Sequence, residues 1–249
     1  MNKIKIFILC FFAVGLLWAE ASAPEGSLQG WTLDQLKAEV YRLRRDNQDL
    51  RDKLGLTDKV DLKGKNSVQI PKGSWKIDDF ENPSPASGIG AWWTGCDNND
   101  MGTTLSPSPY ERLEGGSPLS PGFSAGIRGH IGPSEAPWTW AYLQAPLAGE
   151  EKKVDLNQYS ALWFTAKGDG KYYIVTLRRE AVQDGCNFEA DFQATGKWTL
   201  VKIPLAKFTQ ASWGVQKPRT FPDAKEISFS PEIHEADYDL QVDDIVFVK

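Results

Sequence analysis

Two kinds of side chain in this sequence are spaced so that they can do chemistry: aromatic rings at alternate positions, and doubled acids at the two ends of one long stretch. The run Pro137-Trp138-Thr139-Trp140-Ala141-Tyr142 alternates, so in an extended strand Trp138, Trp140 and Tyr142 share one face. Such a stripe either offers flat π surfaces to a ligand or packs into a core, and its spacing allows both. In the run from Lys171 to Arg179, Tyr173, Val175, Leu177 and Arg179 share one face, while Tyr172, Ile174, Thr176 and Arg178 share the other. An arginine thus ends each face, and only one of Arg178 and Arg179 can join Tyr173 in lining a groove; the alternative for either is a local ion pair with Glu180 or Asp191. Trp213 stands in an otherwise polar loop and is expected to be exposed. Ile77-Asp78-Asp79-Phe80-Glu81 opens the stretch and Val242-Asp243-Asp244-Ile245-Val246-Phe247 closes it.

These groups favour binding over turnover. The chain contains no GxSxG, HExxH, P-loop or dinucleotide fingerprint, and its two histidines, His130 and His234, lie in no catalytic signature. We therefore expect no enzyme. The net charge of −5, with no Lys/Arg-dense segment outside Arg42 to Arg51, also argues against nucleic acid, which needs a basic face to displace counterions from phosphates. Neither Cys96 nor Cys186 belongs to a CxxC pair, so a cysteine metal site is not indicated.

The elements that must position these groups begin after an export signal. A basic start, Asn2-Lys3-Ile4-Lys5, an apolar core from Ile6 to Trp18 and the small-residue pattern Ala19 to Ala23 read as a signal peptide over residues 1–23. Cleavage after Ala21 is favoured over cleavage after Ala23, behind which Pro24 would lie. The mature protein is then expected in the periplasm or outside the cell. Cys10 leaves with the signal, and Cys96 and Cys186 remain as a candidate disulfide in an oxidising compartment.

Residues 31–55 read as a short coiled-coil helix. Leu33, Leu36, Val40, Leu43, Asn47, Leu50 and Leu54 recur at steps of three and four, and Thr32 with Gln35 forms a capping box. Glu39 and Asp46 at g positions face Arg44 and Arg51 at e positions of a parallel neighbour, and Asn47 at an a position favours a parallel homodimer. The alternative is an amphipathic helix packed on its own chain. Gly55 stops the helix, and residues 56–67 read as a linker.

From Val68 to Lys249 strand-length runs alternate with Gly, Pro, Asn and Asp, which predicts an all-β sandwich over residues 68–249. Lys167-Gly168-Asp169-Gly170 reads as a hairpin turn after Ala161 to Ala166, and the doubled aspartate at Asp243-Asp244 as a bulge or a face switch.

Several short motifs, in order, resemble the complex I intermediate-associated protein 30 family: Asp78-Asp79-Phe80-Glu81, Asn99-Asp100-Met101-Gly102, Gly168-Asp169-Gly170-Lys171-Tyr172-Tyr173 leading to Leu177-Arg178, Phe188 with Phe192, Trp198 before Ile203-Pro204-Leu205 and Phe208, and Val242-Asp243-Asp244-Ile245. The resemblance covers about Trp75 to Lys249. That family is similar in fold to family 11 carbohydrate-binding modules, which implies a galactose-binding-like jelly roll. Where the family continues its Asp-x-Met-Gly turn with glycine and serine, this chain has Thr103-Thr104.

The resemblance implies a glycan ligand held by stacking on aromatic rings, with Asp, Asn, Gln and Arg taking the hydroxyls. Trp138, Trp140, Tyr142, Tyr173, Arg178, Arg179 and Trp213 are the candidates, Trp213 because related modules place an aromatic near there beside the sugar cleft. It also implies a structural calcium clamping the first and last strands, with Glu81 and Asp243 as ligands and Asp79 or Asp78 as a third; otherwise these acids cap turns or pair with lysines such as Lys76. No other cofactor is expected. Glycan binding and a role in envelope protein interaction or complex assembly both remain open, with a glycan or an envelope protein as partner.

Overall fold

The computed structural model describes residues 59–61, 68–82, 94–97, 111–132, 140–148, 152–232 and 236–249. The chain divides into two units, Met1–Thr57 and Asp58–Lys249, and every described residue belongs to the second. The signal peptide, the coiled-coil helix, Trp138 and the Asn99-Asp100-Met101-Gly102 turn lie outside the described residues.

Twelve strands are seen among those residues: β1 (Lys59–Asp61), β2 (Trp75–Asp78), β3 (Thr94–Asp97), β4 (Glu111–Glu114), β5 (Phe123–Ile131), β6 (Ala141–Pro146), β7 (Ala161–Gly168), β8 (Tyr172–Arg179), β9 (Phe188–Gln193), β10 (Thr199–Pro204), β11 (Ala224–Pro231) and β12 (Ala236–Val248). They form two antiparallel sheets. One has seven strands in the order β1-β10-β7-β12-β5-β4, with β2 also paired to β12; the other has five, in the order β3-β6-β11-β8-β9. The opening and closing segments meet, with Asp78 opposite Ile245 and Trp75 opposite Phe247.

One apolar core lies between the sheets. Leu162, Phe164 and Ala166 of β7 and Leu240 and Val242 of β12 face Leu143 of β6, Val175 and Leu177 of β8, Phe192 of β9 and Phe229 of β11. Phe164 meets Phe192 and Phe229 edge-on, with centroids 4.9 and 5.1 Å apart, the arrangement that places the positive rim of one ring on the negative face of another. Alternation along each strand then sends every second side chain outward, and on the five-stranded sheet that outer face carries polar and aromatic groups.

Two expectations are corrected. Lys59–Asp61, inside the predicted linker, is an edge strand with Val60 opposite Leu200, so the sandwich starts before Val68; three residues are too few to display a period of two. The turn Lys167 to Gly170 does not return β8 beside β7. Instead β7 pairs with β10 and β12 while β8 pairs with β11 and β9, so the turn carries the chain from one sheet to the other. Gly168 donates to Thr195 O and Gly170 to Ala194 O. A β-carbon on Gly168 would stand 2.6 Å from Asp239 O and 2.8 Å from Ala194 Cβ, which is why glycine holds that crossing.

The doubled aspartate is the expected irregularity. The β12–β7 register shifts between Asp243 and Val246, and Asp244 takes φ +51°. Phe80 opposite this bend has φ +53°. Two non-glycine residues in the left-handed region, in adjacent segments, mark a locally strained junction held by its surroundings.

Candidate functional site

Pairing registers assemble the outer face of the five-stranded sheet row by row. Gln144 of β6 lies opposite Ser228 of β11, Ser228 opposite Thr176 of β8, and Thr176 opposite Glu189 of β9. In the next row Ser230 faces Ile174 and Ile174 faces Asp191; beyond it Tyr172 faces Gln193. On β6, Tyr142 and the preceding Trp140 stack on each other with centroids 4.9 Å apart and planes 13° from parallel. Both are half-buried. At the opposite end Arg178 lies opposite Glu226, with their charged groups 3.5 Å apart.

The face therefore carries an aromatic step at one end, two carboxylates along β9 and a guanidinium at the far end, with Thr176, Ser228 and Ser230 sunk between them at 8, 6 and 6 % exposure. Hydroxyls and carboxylates on a pleated surface repeat at strand spacing, which suits a ligand with many hydroxyls and one flat apolar face. Burial pushes the Glu226 carboxyl up from the usual carboxylate range, while Arg178 and Lys225 oppose that rise.

The candidate residues separate cleanly. Trp140, Tyr142 and Arg178 belong to the outer face. Tyr173 and Arg179 do not: Tyr173 is fully buried, and its hydroxyl donates to Asp169 Oδ1 at 2.9 Å and accepts from Asp239 N at 3.0 Å. Burial holds that phenol strongly protonated. Arg179 is 6 % exposed; its Nε bonds Asp223 Oδ1 at 2.5 Å and its Nη1 bonds Pro218 O at 3.0 Å. Burial acts to raise the Asp223 carboxyl, but the guanidinium and the N–H of Ala181 outweigh it and hold the group below its usual value. Both residues occupy the inward positions of β8, so each secures the fold.

Trp213 is 68 % exposed, as its polar surroundings imply. Its loop is braced rather than loose: Gln210 Nε2 donates to Cys186 O, Gln210 Oε1 accepts from Lys217 N at 2.7 Å, and Asp184 Oδ2 accepts from Val215 N at 2.7 Å. Cys186, one half of the candidate disulfide, is a free buried thiol whose Sγ lies 3.1 Å from Ala211 O. Cys96 lies on β3 and Cys186 just before β9, strands at opposite edges of the five-stranded sheet, so the two are not brought together.

The acidic ends form a second cluster. Asp243 is fully buried; its Oδ1 accepts from Asp244 N at 2.7 Å and its Oδ2 from Ser117 N at 2.8 Å. Glu81 Oε1 accepts from Gly122 N and Phe123 N at 2.9 and 3.0 Å. Asp244 accepts from Ser120 Oγ at 2.6 Å, from Thr165 Oγ1 at 3.1 Å and from Ser117 Oγ. Burial, then the charge of Asp244, and also that of Glu81, push Asp243 up to about 8. Asp79 is elsewhere engaged, 2.5 Å from Lys76 Nζ, and Asp78 accepts from Phe80 N at 2.9 Å. The third acid of the cluster is therefore Asp244, brought in by the bulge.

The cluster is also an oxygen cradle. A β-carbon on Gly116 would stand 2.2 Å from Ser120 O, 2.3 Å from Phe123 O and 2.9 Å from Asp243 Oδ2, and one on Gly122 would stand 2.1 Å from Glu81 Oε2. Carbonyl and carboxylate oxygens crowded at glycines are the donor set that a hard cation takes. Among the described residues no three His, Cys, Asp or Glu side chains suffice to hold a metal by themselves, so backbone oxygens must share in any such site.

Residues 140–238 match the family model described as Complex I intermediate-associated protein 30, the resemblance drawn from the motifs. No curated protein matches the chain. Among solved structures, a family 11 carbohydrate-binding module from Clostridium thermocellum, in complex with a β-1,3-1,4-mixed-linked tetrasaccharide, is similar with TM-score 0.50 and 13 % identity over 70 % of this chain and 95 % of that one. A family 11 module of a cellulosomal cellulase of the same organism gives TM-score 0.51 and 15 % identity over 71 % and 94 %. The shared feature is the fold.

Proposed function

We propose that this protein is an exported, noncatalytic binding module that holds a glycan on the outer face of its five-stranded sheet. The observation that carries this reading is the stacked Trp140–Tyr142 pair standing beside a floor of Gln144, Ser228, Thr176 and Glu189. Ring faces take the apolar C–H side of a sugar, and hydroxyls and carboxylates take its OH groups. The likeness in fold to carbohydrate-binding modules supports it.

Calcium is proposed as a structural partner, held by Glu81 and Asp243 with the carbonyl oxygens at Gly116. It would supply positive charge that balances the carboxylates where the first and last segments of the jelly roll meet.

The heptad at residues 31–55 is proposed to join two copies, so that two weak sites act through effective concentration. Deleting residues 31–56 is expected to turn a dimer into a monomer in sedimentation velocity; an unchanged sedimentation coefficient would refute the intermolecular seam.

A second reading, an envelope complex-assembly factor, is favoured by the family match and would use the same sandwich to hold a polypeptide. The experiment that separates them is tryptophan fluorescence titrated with soluble β-glucan oligosaccharides. Saturable quenching supports the glycan reading; a flat titration, with specific recovery of an envelope protein by the immobilised module, supports the other.

A further inference from the structure

The outer face of the five-stranded sheet carries a further aromatic ring. On β8 the inward positions hold Tyr173, Val175 and Leu177, all fully buried, and alternation turns the half-buried Tyr172 outward, opposite Gln193 of β9. Hydrogen bonds on both sides fix its backbone: Glu232 N donates to Tyr172 O at 3.3 Å, Ala194 N to Lys171 O at 3.0 Å, and Gln193 Nε2 to Gly170 O at 2.8 Å. A ring whose backbone is already held loses little freedom when a ligand settles on it.

Register relates this ring to the stacked pair. Leu143 of β6 lies opposite Phe229 of β11, so counting on along both strands brings Trp140 level with Glu232; Pro231 lies opposite Tyr173, which brings Glu232 level with Tyr172. The row thus reads Trp140, Glu232, Tyr172, Gln193, with β11 between the two aromatic columns. Side chains on strands two apart stand roughly 9 to 10 Å from each other, about the length of two pyranose units. Between the rings lies Glu232, 9 % exposed, and beyond Tyr172 on β9 lie Gln193 and the exposed Asp191.

Resting on the glycan reading of that face, we propose that Tyr172 is a second sugar platform and that the glycan lies across the strands, with one unit on the Trp140–Tyr142 step and the next but one on Tyr172. In an extended β-1,4-linked chain each unit is turned over relative to the last, so the first and third offer the same apolar face, as two rings on one side of a sheet require. The middle unit turns a hydroxyl edge toward Glu232, and Gln193 and Asp191 take hydroxyls beyond the third. Two platforms read both length and linkage. A disaccharide reaches one ring, three units are needed for both, and a β-1,3 bond within the three turns the last unit off Tyr172.

The test is calorimetric titration of the full mature chain with the β-1,4-linked glucose disaccharide and trisaccharide. The trisaccharide is expected to bind about tenfold more tightly, as one added ring contact provides. In Tyr172→Ala that ratio should fall towards one with disaccharide affinity unchanged, and in Tyr172→Phe it should persist, since the ring and not the hydroxyl makes the contact. A trisaccharide no tighter than the disaccharide, a ratio that Tyr172→Ala leaves intact, or an equal loss for both sugars in that variant overturns the inference, while disaccharide binding that Tyr142→Ala abolishes still upholds the sheet face. Binding of neither sugar overturns both.

Discussion

Calcium is expected to raise the melting temperature of the mature protein by about 5–10 °C at pH 8, and by much less at pH 5. The reason lies in Asp243, a fully buried carboxyl next to Asp244 and Glu81, whose pKa stands at about 8 without a bound cation. In the unfolded chain an aspartate titrates near ~3.9. Between those two values the native state keeps a proton that the unfolded state has released. Stability of the metal-free protein therefore declines as pH rises from about 4 to about 8, by an amount on the order of a few kcal/mol. Above that window the loss is complete and the slope from this group vanishes.

Both Asp243 oxygens accept backbone N–H bonds, the pattern an ionised carboxylate prefers. A cation in the cradle reconciles that pattern with the burial, because it stabilises the charged form. At a hundredfold excess over its dissociation constant it adds about 2.7 kcal/mol, which in a domain of this size corresponds to the stated temperature range. Asp243→Asn should remove both the declining pH slope in EDTA and the response to calcium. Identical melting curves with calcium and with EDTA at pH 8 would refute the metal.

The second large effect concerns the stacked pair. Replacing Tyr142 by alanine leaves Trp140 without the ring it stacks on and removes one side of the platform, so glycan affinity should fall at least tenfold, about 1.4 kcal/mol. Melting temperature should change little, since Tyr142 is half-buried on the outer face and takes no part in the core. Tyr173→Phe makes the opposite test. It deletes the hydroxyl that ties Asp169 to Asp239, and should lower stability by about 1 kcal/mol with glycan affinity unaltered. A Tyr142→Ala variant that binds as the wild type does, measured by fluorescence quenching or affinity electrophoresis, would exclude the aromatic step from the site.

Much of this arrangement is legible in the chain before any fold is known, and the part that is not has a common cause. Period-two alternation separates Arg178 from Arg179 and places Trp140 with Tyr142, because side-chain direction in a strand is a local property. The doubled aspartate announces its own irregularity for the same reason. Which face is the core is not local. Tyr173 with Arg179 makes as plausible a groove as Tyr172 with Arg178 until β9 and β11 are known to flank β8.

The same limit hides the floor of the site. Gln144, Ser228, Ser230 and Glu189 come from three strands distant in sequence, and nothing in any one of them marks it as functional. Registers that bring them into rows depend on how the core packs. The exchange of Asp79 for Asp244 in the acidic cluster is a further instance: Lys76, three residues away, captures Asp79, and a backbone bend delivers Asp244 instead. At Lys167 to Gly170 the residues announce a turn, yet whether the next strand pairs with the last or crosses to the other sheet is set by Asp239 and Ala194, far along the chain.

The central claim is that the outer face of the five-stranded sheet is the glycan site. Chemical-shift mapping of the ¹⁵N-labelled protein with a mixed-linkage β-glucan tetrasaccharide tests it most directly. Saturable shifts are expected for the backbone amides of β6, β8, β9 and β11 around Tyr142, Gln144, Thr176, Glu189 and Ser228, together with the side-chain indole of Trp140. Shifts confined to the seven-stranded sheet, or none at millimolar sugar, would contradict it.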